Sequence, residues 1–126
     1  MQAQYLVVST SCPDEVQANR IAHALVESRI AACVHISAPI RSIYVWEGKI
    51  CEEQEISLHI KCLQSRYAEL EQLVLKLHPY QVPEIIAVPV THGLPAYLDW
   101  IKDNTQPWKN YLTLPSPRYC FSRLSP

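Results

Sequence analysis

Ile50-Cys51-Glu52-Glu53-Gln54-Glu55-Ile56-Ser57-Leu58-His59-Ile60-Lys61-Cys62 has the clearest apolar–polar alternation in the chain. Ile56, Leu58, Ile60 and Cys62 fall on one side of an extended strand, and Glu55, Ser57, His59 and Lys61 on the other. That pattern predicts a strand with one face on a core and one wetter face. Just before it, Glu47-Gly48-Lys49 reads as a turn. Ala32 to Glu47 reads as the partner strand, with a bulge or bend expected at Pro39. The two strands form one long hairpin.

Upstream of the hairpin, Tyr5-Leu6-Val7-Val8-Ser9-Thr10 reads as a buried strand. Ser11-Cys12-Pro13-Asp14-Glu15 then carries helix-start signals: a hydroxyl, an early proline and acids in the first turn. The helix that follows places Ala18, Ile21, Ala22 and Leu25 on one face, and Glu15, Arg20, His23 and Glu27 on the other. Downstream, a second helix begins after Ser65, with Leu70, Leu73, Val74 and Leu77 at helical spacing. It stops at His78-Pro79-Tyr80-Gln81-Val82-Pro83-Glu84. Prolines fix φ and push the preceding residue out of helical space, so this is a stiff corner carrying an imidazole, a phenol and a carboxylate. A fourth strand from Ile85 to Val90 and a short helix with Leu94, Tyr97, Leu98 and Ile101 complete the order βαββαβ plus a helix. Right-handed crossovers on an antiparallel sheet make this an α+β, ferredoxin-like sandwich with a long protruding hairpin and an extra C-terminal helix.

The hairpin strands span about 13 residues each, roughly 43 Å at ~3.3 Å per residue. A domain of this size is about 34 Å across. The hairpin therefore overhangs its own domain, and Ile43, Val45 and Trp46 on it are predicted interface residues, because protruding strand edges are normally covered by another chain. Tyr44 and Trp46 share one side of the strand and suit interface anchors. Residues 1–103 form the predicted domain. Residues 104–126 read as an extension broken by Pro107, Pro115, Pro117 and Pro126, expected to be flexible or draped over a partner, with Tyr111-Leu112-Thr113-Leu114 as the alternative of one further edge strand.

Composition narrows the function. With 126 residues, 48% of them hydrophobic, the chain can bury a core. A net charge of −1 and the lack of any run of like charges remove the footprint of a nucleic-acid binder. No apolar stretch reaches the roughly 18 residues of a membrane span, and Met1 to Thr10 lacks the pattern of a signal peptide, so a cytoplasmic protein is expected. Only Gly48 and Gly93 are glycines, which excludes a Walker loop, a dinucleotide fingerprint and a glycine-flanked nucleophilic serine. Five cysteines occur without a Cys-x-x-Cys pair, so reduced thiols are expected. No nucleophile, base and orienter stand at an interpretable spacing, and no catalytic residues are assigned.

Ile30-Ala31-Ala32-Cys33-Val34, Ser42-Ile43-Tyr44-Val45-Trp46-Glu47-Gly48-Lys49, the corner from His78 to Glu84, and Tyr97-Leu98-Asp99-Trp100 together resemble the CutA family of divalent-cation tolerance proteins. The resemblance runs from about Tyr5 to Ile101. It implies a ferredoxin-like fold, a homotrimer built through long hairpins, and a response to copper and other divalent metal ions. The metal site attributed to some members is a cysteine at the end of the first strand plus consecutive histidines before the Pro-Tyr of the corner. The matching positions hold Thr10, Leu77 and His78, with Cys12 two residues past Thr10. The resemblance thus points to His78 and Cys12 as metal ligands, with weak or indirect binding of copper or another divalent cation.

Two further sites follow from the residues. His35 and His59 lie on facing strands as a second metal candidate. By analogy with ferredoxin-like trimers, Tyr44, Lys61, Tyr80 and Glu84 are expected near an intersubunit cleft, the alternative being a trimeric signalling or small-molecule-binding module. The Glu84 carboxylate is expected to pair with Lys61 or with a neighbouring chain.

Overall fold

The alternating stretch is the spine of a four-stranded antiparallel sheet. A computed structural model describes residues 4–106. The elements are β1 (Tyr5–Cys12), α1 (Glu15–Glu27), β2 (Ala31–Trp46), β3 (Lys49–Leu63), a 3-10 turn (Gln64–Arg66), α2 (Tyr67–Leu77), β4 (Ile86–Pro89) and α3 (Pro95–Asp103). The sheet order is β2-β3-β1-β4, all pairs antiparallel, which is the ferredoxin-like arrangement. Expected extensions of the chain beyond Gln106, including the strand at 111–114, lie outside the described residues.

Alternation decides which face is buried. Ile56, Leu58, Ile60 and Cys62 of β3 join Val8 and Cys12 of β1, Ala18, Ile21, Ala22 and Leu25 of α1, and Leu70 and Val74 of α2 in one core. Both long helices therefore cover the same side of the sheet. Asp14, rather than Ser11, caps α1: its Oδ1 accepts from the Gln17 N–H at 2.8 Å. Ser11 and Cys12 remain in β1, paired with Ser57 and Ile56, because the rise to the helix waits for Pro13. At the other end of α1, Arg29 sits at φ 62, the left-handed position where glycine is usual. Its guanidinium donates to the carbonyls of Asp103 and Gln106, and Arg66 donates to those of Arg29 and Thr105. Thr105 is buried, and these bonds tie residues 103–106 to the end of α1 and the start of α2.

β4 is shorter than its apolar run. Its ladder covers Ile86 to Pro89 against Leu6 to Ser9, and the Val90 N–H still reaches the Tyr5 carbonyl at 3.0 Å. β2 has 16 residues, as many as the stretch from Ala32 to Glu47, and β3 has 15, one residue past Ile50 at one end and one past Cys62 at the other. The register shifts at Pro39 as predicted, and again between Ala31 and Cys33. Glu47 (φ 50) and Gly48 (φ 77) turn the chain with two consecutive left-handed residues, the geometry that matches the twist of paired strands. Beyond Pro39 the apolar side chains face solvent: Ile43 is 65%, Val45 69% and Ile50 80% exposed. No helix among the described residues is long and apolar enough to cross a membrane.

Candidate functional site

At the corner that follows α2, His78 and Tyr80 are fully engaged. His78 is extended (φ −74, ψ 135), as a residue before proline must be, while its N–H still closes the last turn on the Val74 carbonyl at 2.8 Å. Arg20 donates to the Leu77 carbonyl, another of the carbonyls that a helix end leaves open. His78 is 8% exposed. Its Nε2 lies 2.6 Å from the Ser11 carbonyl oxygen, and its Nδ1 accepts the Tyr80 N–H at 3.1 Å. A carbonyl only accepts and an amide N–H only donates, so the ring carries its proton on Nε2 and both nitrogens are engaged. The Tyr80 ring stands 4.9 Å from that of His78, and its hydroxyl donates to Glu55 Oε2 at 2.8 Å.

The corner and the hairpin enclose a cavity of about 720 Å³. Pairing of Ser42 with Glu53 and of Tyr44 with Cys51 puts these residues on the same strand face as Trp46 and Glu55, and that face is one wall. Pro79, Tyr80, Gln81, Val82 and Glu84 form the other. Burial first, and then the bond to Glu55, raises the Tyr80 phenol well above its usual pKa, so it stays protonated.

Of the residues expected to meet at a cleft, Tyr44, Tyr80 and Glu84 line this cavity, together with Trp46 and Ile43. Lys61 stands elsewhere: its Nζ lies 2.8 Å from His35 Nδ1. Glu84 is exposed and Lys61 is taken up by the hairpin's own histidine, so the expected Lys61–Glu84 pair does not form among the described residues. His35 and His59 are direct partners in the β2–β3 register, but the Lys61 ammonium occupies the lone pair that a metal would need on His35.

Glu53 and Glu55 were the residues missed. Their spacing with Cys51 placed all three on the wet face of β3, yet nothing in the alternation says that the corner folds over that face.

The residues present do not fit a divalent-ion site. Cys12 is fully buried in the core, and burial, followed by the charges of Asp14 and Glu55, pushes its thiol up to about 11, whereas metals take the thiolate. Both nitrogens of His78 are already bonded. Among the described residues no three His, Cys, Asp or Glu side chains converge in a way that could hold a metal ion. Thr10, fully buried, has no hydrogen-bond partner for its hydroxyl among the described residues.

Residues 6–104 match a family model described as CutA1 divalent ion tolerance protein. The divalent-cation tolerance protein CutA of Thermus thermophilus is 46% identical over 99 residues, which are 79% of this chain and 96% of that protein. Protein CutA of Mus musculus is 45% identical over 100 residues, 79% of this chain but only 56% of the mouse protein. The crystal structure of CutA1 from the psychrotrophic bacterium Shewanella sp. SIB1 superposes with a TM-score of 0.81 at 48% identity, covering 83% of this chain and 98% of that one.

Proposed function

Because the chain belongs to the CutA1 divalent ion tolerance family, we propose that it works in tolerance of copper and related divalent cations, as a non-catalytic homotrimer in the cytoplasm. The family match across residues 6–104 carries this reading. Weak or indirect handling of metal is favoured over a closed protein site, because His78 has no free nitrogen and Cys12 is held as a buried thiol. The trimer is supported by the apolar hairpin, whose Ile43, Val45 and Trp46 are exposed in the single chain. A reducing compartment suits Cys12 and Cys62, which pack as small apolar residues in the core.

The test is growth of a bacterium lacking its own family member, at raised copper, with and without this chain. The reading predicts improved growth with the chain. No improvement despite normal expression contradicts it.

One observation favours a second reading, a small-molecule-binding signalling module. The cavity between hairpin and corner has the size of a ligand site and polar groups set on a rigid frame.

A further inference from the structure

We propose that the open face of the sheet receives the hairpin of a second copy of this chain, head to tail, with Lys61 of each copy paired to Glu53 of the next. This rests on the homotrimer reading and adds the surface and the charge pair that orient its copies.

Both long helices cover one face of the sheet, and the other face carries a charge gradient along β3. Cys51, Glu53, Glu55, Ser57, His59 and Lys61 follow one another on it, acids toward the hairpin tip and bases toward the far end. Lys61 stands opposite Val7 and Cys33, and His59 opposite Ser9 and His35, so the basic end has no acid among its direct sheet neighbours. Lys61 enters no ion pair among the described residues, and its Nζ rests 2.8 Å from His35 Nδ1. At the other end, Glu53 is exposed and enters no ion pair among the described residues either.

The two ends cannot meet within one chain. Eight positions of strand separate Glu53 from Lys61, roughly 26 Å at ~3.3 Å per residue. A second copy brings them together. Packing two copies face to face would oppose the same ends but closes at two, whereas three copies need a head-to-tail contact that closes as a ring.

The open face also has the apolar surface that such a contact buries. Ile86 and Val88 of β4 pair with Ser9 and Val7, which places them on the Lys61 side, and they are 54% and 55% exposed. They offer a seat for Tyr44 and Trp46, which share the Glu53 face of the hairpin. Complementary charge fixes the register of an interface more than it adds affinity, so the pair decides which way the copies face.

The test is subunit exchange between unlabelled and isotopically heavy protein, followed by native mass spectrometry at about 150 mM salt. Lys61→Glu and Glu53→Lys are each expected to speed exchange at least about tenfold, and the double variant, with the charges swapped, to return within about threefold of the wild type. Lys61→Gln and Glu53→Gln carry the same test should a reversed variant not fold: each should speed exchange about threefold, and the two together no more than either alone. A wild-type trimer whose single variants exchange at its own rate, or whose double variant is as fast as the singles, overturns the pair and leaves the trimer standing. A wild type of single-chain mass overturns both.

Discussion

Tyr80 and Glu55 are joined across 25 residues of sequence, the phenol hydroxyl donating to Glu55 Oε2 at 2.8 Å. This bond ties the proline-bounded corner to β3 and closes the cavity wall between them. Removing the hydroxyl leaves a carboxylate that is only 8% exposed without its donor. Tyr80→Phe is therefore expected to lower stability by about 1–3 kcal/mol, read from chemical denaturation. Unchanged stability would show that the bond is replaced by water at no cost.

Thr10 makes the opposite prediction. It sits opposite Leu58 in the core, fully buried, with a hydroxyl that finds no partner among the described residues. Valine has the same shape without that hydroxyl. Thr10→Val should raise stability by about 1 kcal/mol, measured by thermal or denaturant unfolding. A loss of stability would mean that the hydroxyl is satisfied in solution.

Alkaline pH should destabilise the protein through its buried thiols. Burial raises Cys12 and Cys62 from 9.0 to about 11 each. A folded-state pKa above the unfolded one stabilises the fold fully below the unfolded value, and that contribution disappears as pH climbs through the folded value. The Tm is thus expected to fall between pH 9 and 11. Cys62→Ala should flatten that fall, because the variant has one thiol fewer to ionise. An identical pH slope in the variant would contradict the assignment.

The copper reading separates by calorimetry. With both His78 nitrogens bonded and Cys12 buried, wild type and His78→Ala should bind copper alike, with Kd weaker than about 10 μM. Tight binding in the wild type that His78→Ala abolishes would restore a direct site.

The fold was legible where a single period governs. Alternation in β3 and helical spacing in α1 and α2 named the core residues, because each element buries one face and the spacing says which. The site was legible only in part. Period two put Glu53 and Glu55 on the correct face of β3, but what lies over a face is set by the return of the chain, and the prolines of the corner announce stiffness without direction. Lys61 was one of two expected partners for Glu84, the other being a neighbouring chain, and its ammonium lies instead against His35, the diagonal neighbour of Lys61 across the hairpin. The left-handed Arg29 had no sequence signal, since glycine is what that position usually shows.

The homotrimer is the central claim, and it stands or falls on mass in solution. Static light scattering at micromolar concentration should give three times the chain mass of 14.4 kDa for the wild type. Ile43→Lys combined with Val45→Lys, which put charges on residues exposed in the single chain, should shift that mass toward 14.4 kDa. A wild-type mass of 14.4 kDa at micromolar concentration would contradict the account.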